Sequence, residues 1–255
     1  MVDTHLVIFG LGYCGIAVAR AAAAAGIAVT ATSRDPARAP QIDGVRLVRF
    51  ADAGASLGQA THVLATAPPP GDGGEGDGVD PVLDAFGPTL AAAPLLRWAG
   101  YLSTTGVYGD RDGGWVDETT PPAPGQERSR RRLAAEQAWA ALGSRIAVDL
   151  FRVAGIYGPG RSPLDDLRAG RARRIVKPGH AFGRIHRDDI AAAVLAAVRQ
   201  QLAPGVRVLN LNDDEPAEAA VVVEEAARLL GVAPPPAVPF AEVAARMTPM
   251  GLSFW

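Results

Sequence analysis

The sequence predicts an α/β fold in which helices cover both faces of a parallel β-sheet, with a small C-terminal lobe added. Three observations support this fold. Apolar runs alternate with helical stretches over most of the chain, which is typical of a doubly wound parallel sheet. A glycine-rich turn joins the first predicted strand to the first predicted helix. Two segments, 155–183 and 212–255, interrupt the alternation and predict a lobe over the carboxyl edge of the sheet.

Each predicted element is an apolar or helical run bounded by Gly, Pro or polar residues. The predicted strands are 6–9, 28–32, 45–50, 61–66, 98–104, 146–154 and 207–211. The predicted helices are 14–25, 79–93, 129–142, 188–201 and 216–230. A break is expected in the second helix at Gly87-Pro88, and 71–78 is predicted to be an acidic loop. The main domain then comprises 1–154 and 184–211, and the lobe comprises 155–183 and 212–255.

The composition predicts a soluble, cytoplasmic protein of 255 residues. Hydrophobic residues make up 48% of the chain and the net charge is −2, which gives no sign of a nucleic-acid partner. The apolar runs are too short to span a bilayer, and the N-terminus lacks the basic segment of a signal peptide. One cysteine excludes an internal disulfide and fits a reducing compartment. No metal site is predicted.

The turn Gly10-x-Gly12-x-x-Gly15 predicts dinucleotide binding. The first glycine permits the tight turn, the second lets backbone approach a pyrophosphate, and the third allows close helix–strand packing. The helix N-terminus stabilises the phosphate charge. Tyr13 and Cys14 lie in the same turn and belong to the predicted site. For Cys14, two interpretations remain open: a reactive thiol at a helix N-terminus, or a small residue packed under the cofactor.

The end of the second strand favours NADP, with NAD as the alternative. Ser33 and Arg34 accommodate a 2′-phosphate, and Arg38 follows one turn later. Asp35 is the acid that an NAD site would use, although it comes late and precedes a proline. The other predicted cofactor contacts are at the adenine edge and over the phosphates: Asp52, Thr66, Ala67 and Pro68.

Four segments together resemble the extended short-chain dehydrogenase/reductase family, the NAD-dependent epimerase/dehydratase group with a Rossmann fold. They are "YLSTTGVYGD", "FRVAGIYGPGR", "RIHRDDIAAAVLAAV" and "LNLNDDEP", in the order of the family's motifs. The resemblance runs from the first strand to about Gly231. The spacing of the glycine turn differs from the family's usual GxxGxxG, which indicates an atypical branch.

The resemblance implies the catalytic positions. Thr104 falls on the family's catalytic Ser/Thr, and Tyr108 falls on the substrate side. When Glu136 is aligned with the family's YxxxKxxxE helix, Arg128 takes the tyrosine slot and Arg132 the lysine slot. A shift of one residue places Ser129 in the tyrosine slot instead.

An arginine cannot perform the proton transfer of that tyrosine, because its pKa lies too high. Arg128 and Arg132 share one helix face and are expected to bind a phosphate or carboxylate there. Arg130 and Arg131 are expected on a solvated face. Tyr108 is the first candidate for a substitute acid. The other candidates are His180, His186 and Tyr157.

These features predict an atypical NAD(P)-dependent oxidoreductase or epimerase acting on a small polar, anionic substrate. The alternative is a non-catalytic NADP-binding sensor or interaction protein that has lost the Tyr/Lys pair. The family's diphosphate-binding arginine appears here as Phe182, with Arg184 nearby, so a nucleotide-sugar substrate is not predicted. The apolar ending "PMGLSFW" is consistent with a missing tail or with a chain end buried in a partner, and a homodimer is one such arrangement.

Overall fold

The computed structural model describes residues 3–70 and 80–247. The predicted acidic loop, the first predicted residue of the second helix and the apolar ending lie outside these residues. The strands are β1 His5–Phe9, β2 Ala28–Ser33, β3 Val45–Arg49, β4 His62–Ala65, β5 Trp98–Thr104, β6 Ala147–Val153, β7 Gly155–Tyr157, β8 Arg174–Val176, β9 Ala181–Phe182, β10 Arg184–His186, β11 Gly205–Leu211, β12 Ala217–Glu218 and β13 Ala237–Pro239. The α-helices are α1 Tyr13–Ala24, α2 Gly54–Leu57, α3 Pro81–Ala92, α4 Glu127–Ala140, α5 Pro163–Arg168, α6 Arg187–Val198, α7 Ala219–Leu230 and α8 Phe240–Ala244.

The central sheet has the predicted parallel, doubly wound architecture. Within the described residues it contains seven strands in the order β11-β6-β5-β4-β1-β2-β3, and every neighbouring pair is parallel. The order reverses at β1 and β4, the crevice in which open α/β sheets bind ligands. The glycine turn follows β1 at this crevice, so the topology places the predicted site where such a fold uses it.

One face of the sheet packs against α3 and α4 through a buried apolar cluster. Phe9, Tyr101 and Trp139 are among its largest members, and each is almost fully buried. Tyr101 and Trp139 stack with ring centroids 6.1 Å apart. Helices α1 and α6 pack against each other. None of the helices in the described ranges is both long and apolar enough to cross a bilayer.

The break expected at Gly87-Pro88 is wrong, because α3 continues through Pro88 without interruption. Pro88 has no N–H, so the carbonyl of Asp84 loses its intrahelical donor. Both residues lie on the exposed side of the helix, where water can replace that donor. Asp80 caps the helix by accepting hydrogen bonds from Val82 N and Leu83 N. Burial of Val82, Phe86 and Leu90 offsets the cost of the proline.

The chain divides into two compact units. The larger comprises residues 1–111, 116–154 and 187–211, and the smaller comprises 112–115, 155–186 and 212–255. In the smaller unit β7 pairs with β10, β8 with β13, and β9 with β12. These ladders are two or three residues long, too short to produce a periodic sequence signal. The predicted role of this unit in substrate binding stays a prediction.

Candidate functional site

The glycine turn after β1 is closely packed at two glycines and open at the third. Gly10 has a φ of +104°, and a Cβ there would lie 2.8 Å from Thr66 Oγ1. A Cβ at Gly15 would collide with the carbonyl oxygen of Gly10. Gly12 is exposed, and a Cβ there would meet nothing within 4 Å in the part of the chain that the structure describes, its own neighbours apart. The backbone at Gly12 is therefore accessible to a ligand, as a pyrophosphate-binding turn requires.

Two threonines fix the turn against the sheet. Gly10 N donates to Thr32 Oγ1 at 3.1 Å. Thr66 Oγ1 donates to the Gly10 carbonyl at 2.8 Å, and the Phe9 carbonyl lies 3.2 Å from the same hydroxyl. Thr66 therefore shapes the turn. Whether Thr66, Ala67 and Pro68 also pass over the phosphates stays a prediction.

Helix α1 begins directly after the turn with the geometry of an anion-binding terminus. Its N-cap residue is Gly12, whose backbone is extended and whose missing side chain leaves the helix start without a side-chain cap. Acidic residues are absent from the first turn, so they do not compete with a bound phosphate. Cys14 is buried at this helix start. The residues present therefore fit a dinucleotide phosphate at this position.

At the end of β2, Asp35 is engaged by its own turn. Its carboxylate accepts a hydrogen bond from Ala37 N at 3.2 Å and lies 3.5 Å from Arg38 Nε. Asp35 N donates to Ser33 Oγ, also at 3.2 Å. Arg34 is exposed. Asp52 is also exposed, in the 3-10 helix Phe50–Asp52 after β3.

Thr104 and Ser129 face each other across Gly106. Thr104 ends β5, and its Oγ1 accepts a hydrogen bond from Gly106 N at 3.1 Å. A Cβ added to Gly106 would lie 3.4 Å from Thr104 Oγ1 and 3.1 Å from Ser129 Oγ. Both hydroxyls therefore flank one point above the end of β5. Ser129, which the sequence alignment reaches only by a shift of one residue, lies beside Thr104.

Arg132 binds the protein itself. Its Nη1 donates to the carbonyl oxygen of Leu102 at 2.8 Å and to the hydroxyl of Tyr101 at 3.0 Å. Burial raises the pKa of Tyr101 to about 12, with Arg132 acting in the opposite direction. Arg132 thus joins α4 to β5. Arg128 is exposed in the first turn of α4, and binding of an anion by either arginine stays a prediction.

The neighbouring arginines pair with the start of their own helix. Arg130 Nε lies 2.9 Å from Glu127 Oε2, and Arg131 Nε lies 3.2 Å from Glu127 Oε1. Arg131 also donates to the carbonyl oxygen of Pro70 at 3.2 Å. Arg130 is exposed and Arg131 is half-buried.

Tyr108 is almost fully buried and forms part of a polar cluster. Its hydroxyl donates to Asn210 Oδ1 at 2.8 Å, and the Arg152 guanidinium lies 4.7 Å from the centre of its ring. Arg152 pairs with Glu136 at 2.8 Å, and both side chains are buried. These contacts give Tyr108 a structural role. Its use as a proton carrier stays a prediction that requires the bond to Asn210 to break.

The remaining candidate acids lie in the smaller unit. The rings of Tyr157 and His186 pack edge to face, with centroids 5.2 Å apart. His180 lies 6.1 Å from Phe182, measured between ring centroids. Arg184 donates to the carbonyl oxygens of Phe182 and Ala217, and burial lowers its pKa. Among the described residues, no group of His, Cys, Asp and Glu could hold a metal ion.

Sequence reasoning missed the buried Glu136–Arg152 pair and gave Ser129 second place. The signal was present in the spacing of α4. Ser129, Arg132, Glu136 and Trp139 are separated by three, four and three residues, which places them on one helix face. Trp139 and Ala135 mark that face as the buried one. Helical spacing counted back from the buried Trp139 therefore predicts that Ser129 is the residue of the first turn that faces the sheet.

The chain is similar to several known proteins, although no protein-family model matches it. The chain is 30% identical over 246 residues to protein YeeZ of Escherichia coli (strain K12), covering 89% of this chain and 84% of that protein.

The chain is also similar to several solved structures. A functionally unknown conserved protein from Silicibacter pomeroyi DSS is 44% identical, with a TM-score of 0.87, over 99% of this chain and 86% of that chain. A "putative NAD-dependent epimerase/dehydratase" from Methylobacillus flagellatus is 26% identical, with a TM-score of 0.70, over 97% and 93%. The NAD complex of dTDP-glucose 4,6-dehydratase from Bacillus anthracis, 16% identical with a TM-score of 0.71 over 93% and 84%, shares the fold.

The parallel sheet, the glycine turn at its crevice and these relatives agree. The chain belongs to the extended short-chain dehydrogenase/reductase family, in its NAD-dependent epimerase/dehydratase group.

Proposed function

We propose that this protein binds a nicotinamide dinucleotide, NADP in preference to NAD, and acts as an atypical oxidoreductase or epimerase on a small polar, anionic substrate. The observation that carries the proposal is the glycine turn, closed at Gly10 and Gly15 and open at Gly12. The uncapped start of α1 adds backbone N–H groups and the positive end of the helix dipole. When bound, the cofactor would supply hydride transfer.

The preference for NADP rests on the turn after β2. The carboxylate of Asp35 accepts a hydrogen bond from Ala37 N and lies 3.5 Å from Arg38 Nε, so part of its acceptor capacity is used within its own turn. Arg34, exposed one residue after β2, can meet a 2′-phosphate with a charge-assisted hydrogen bond. An NAD site would use the remaining acceptor sites of Asp35, whose side chain is 51% exposed.

Thr104 and Ser129 would hold the reacting oxygen of the substrate. Thr104 Oγ1 accepts the Gly106 amide, which leaves the threonine hydroxyl proton for donation to a ligand. The Ser129 hydroxyl lies on the other side of Gly106. Two hydroxyls can bind and orient an oxygen. They titrate far above neutral pH, so the proton itself would come from water or from another group.

The non-catalytic alternative has its own support. Arg132 donates to Leu102 and Tyr101, and Tyr108 donates to Asn210, so both side chains are committed to protein contacts. A protein that only senses NADP needs no proton carrier beside Thr104. Binding without turnover would then be the native behaviour.

Fluorescence titration with NADPH and NADH tests the binding proposal, and we expect NADPH to bind more tightly. A clear preference for NADH would contradict the assignment of Arg34, and no binding of either would contradict the proposed function. NADPH oxidation is then followed with a panel of small keto acids and aldehydes. Turnover that falls in Thr104→Ala and Ser129→Ala supports the enzyme, whereas tight binding without any turnover supports the sensor.

A further inference from the structure

A cation lies beside the residue that opens α1 in the glycine turn. Tyr13 is the first residue of α1 and Arg187 is the first residue of α6, and the two helices pack against each other. The guanidinium carbon of Arg187 lies 4.9 Å from the centre of the Tyr13 ring, within the range of a cation–π interaction. The starts of both helices therefore lie together, with the arginine held against the tyrosine.

The Arg187 side chain is largely buried, and one of its donors is defined. It is 18% exposed, and its Nε donates to Asp188 Oδ1 at 2.9 Å. Asp188 is 59% exposed and fixes the direction of the guanidinium. An arginine has five N–H donors in a planar fork, and the terminal nitrogens can bind an anion in addition to a neighbour at Nε. Arg187 is therefore oriented before any ligand arrives.

The glycine turn itself contributes no charged side chain to a bound phosphate. Residues 10–15 are Gly, Leu, Gly, Tyr, Cys and Gly. The start of α1 supplies the equivalent of only about half a positive charge. The pyrophosphate of a dinucleotide is a dianion, so the turn alone leaves much of its charge unmatched. Arg187 adds a guanidinium against the first residue of that helix, and it shares its charge with the exposed carboxylate of Asp188.

We propose that Arg187 is a pyrophosphate-binding residue of the dinucleotide site and that the Tyr13 ring positions its guanidinium. The inference rests on the proposed dinucleotide binding and adds a residue that the glycine motif does not contain. NADPH and NADH share the pyrophosphate, so Arg187 contributes to the binding of both. Arg34 differs, because it concerns the 2′-phosphate of NADPH alone.

The first test compares dissociation constants for NADPH and NADH in Arg187→Gln and in the wild type. Loss of one charge-assisted contact is expected to weaken both dinucleotides by a similar factor, about 10- to 100-fold. Arg34→Ala is expected to weaken NADPH alone. Arg199→Gln is the matched control, since Arg199 is exposed immediately after the other end of α6, and it is expected to change neither constant. Circular dichroism confirms that each variant is folded.

Tyr13 is tested separately with Tyr13→Phe and Tyr13→Leu. The phenylalanine keeps the aromatic ring and is expected to bind both dinucleotides like the wild type. The leucine removes the ring and is expected to weaken both. Arg187→Lys keeps the charge without the fork, and we expect binding between those of the wild type and Arg187→Gln. These variants provide the result if Arg187→Gln does not fold.

Three results would overturn the inference. The first is unchanged affinity of folded Arg187→Gln for both dinucleotides. The second is a loss confined to NADPH, which would place Arg187 at the 2′-phosphate. The third is that the wild type binds both dinucleotides and that Arg187→Lys and Tyr13→Leu bind them with the same dissociation constants. Calorimetry with inorganic pyrophosphate separates this from the proposed function: if the wild type binds neither dinucleotide but binds pyrophosphate through Arg187, only the proposed function fails.

Discussion

At the scale of single residues, the chemistry of the site depends on short polar side chains around glycines. Thr104 and Ser129 flank Gly106, where a side chain would come into tight contact with both hydroxyls. The contacts of the two hydroxyls in the described residues are to Gly106, and an aliphatic hydroxyl without an activating base is a poor acid or base near neutral pH. The pair is therefore suited to hold an oxygen, and any proton transfer must involve another group.

Arg34 is expected to determine the preference for NADP. Arg34→Ala should weaken NADPH by about 1–3 kcal/mol, the range of a charge-assisted hydrogen bond, and leave NADH nearly unchanged. Arg199→Ala is the control, because Arg199 is exposed immediately after α6 and carries the same charge outside the predicted cofactor site. Both constants are measured by fluorescence titration. Equal losses of NADPH affinity in the two variants would show that general surface charge, and not Arg34, governs the preference.

Gly106→Ala tests the hydroxyl pair. The added methyl group would lie 3.1 Å from Ser129 Oγ and 3.4 Å from Thr104 Oγ1 and would occupy the point that both hydroxyls flank. We expect NADPH affinity to change little and substrate turnover or substrate binding to fall. Ser144→Ala, an exposed serine beyond the end of α4, is the control. Turnover that equals the wild type in Gly106→Ala would remove Thr104 and Ser129 from the site.

At the scale of elements, α4 is fixed to the sheet by polar contacts along one face. Arg132 binds the end of β5, and Glu136 one turn later binds Arg152 of β6. Trp139 stacks on Tyr101 of β5 another turn along. These contacts set the rotation of the helix and thereby direct Ser129 towards Thr104.

The buried pair is expected to dominate the stability of this contact. Glu136→Gln leaves the Arg152 charge buried without its counter-charge and should lower the free energy of unfolding by about 3–5 kcal/mol. Glu127→Gln on the same helix breaks surface pairs with exposed Arg130 and half-buried Arg131 and should cost less than about 1 kcal/mol. Urea denaturation measures both. Similar small losses would mean that the helix is held by its apolar contacts alone.

Sequence patterns predicted the elements well where the signal was local. The apolar runs predicted the strands of the central sheet. The three glycines predicted the turn, in which Gly10 needs its positive φ and Gly15 allows the close approach of the Gly10 carbonyl. The rotation of α4 was different. Its arginines can be aligned in two registers, and the contacts that hold the helix come from β5 and β6, far away in sequence. The helix break predicted at Pro88 was wrong because the burial of the apolar face of α3 outweighs the local free-energy cost of the proline.

At the scale of the whole molecule, a row of side-chain contacts crosses the central sheet. It lies at the opposite end of the strands from the glycine turn. His62 Nδ1 bonds Thr61 at 2.8 Å, and the His62 ring lies 5.9 Å from the Trp98 ring. Trp98 Nε1 donates to Asp149, which also binds Arg207 on the edge strand β11. This row of contacts links four neighbouring strands of the sheet.

His62 is expected to make the fold sensitive to acid. Burial, together with the charge of Arg97, lowers the pKa of His62 from 6.5 to about 4. The folded state therefore favours neutral His62, and its contribution is complete above pH 6.5 and is lost as the pH falls from 6.5 towards 4. The loss is up to about 3 kcal/mol. Burial raises the pKa of Asp80, which acts in the opposite direction.

Comparison of wild type with His62→Gln isolates this contribution. The free energy of unfolding, measured in urea between pH 7 and pH 4.5, should fall less steeply in His62→Gln than in the wild type. His5→Gln, at a half-buried histidine of β1, is the control for replacement of a histidine elsewhere in the sheet. Parallel slopes for wild type and His62→Gln would show that His62 is not the acid-sensitive group.

The central claim, that the glycine turn binds a nicotinamide dinucleotide, is tested most directly by NADPH titration of Gly12→Ala alongside the wild type. Within residues 3–70 and 80–247, a Cβ at Gly12 meets nothing within 4 Å apart from its own chain neighbours, and the φ of −78° suits any residue, so the variant should fold with wild-type stability. The methyl group would still block approach to the backbone, and NADPH affinity should fall about 10-fold or more. Wild-type affinity for NADPH in folded Gly12→Ala would contradict the account.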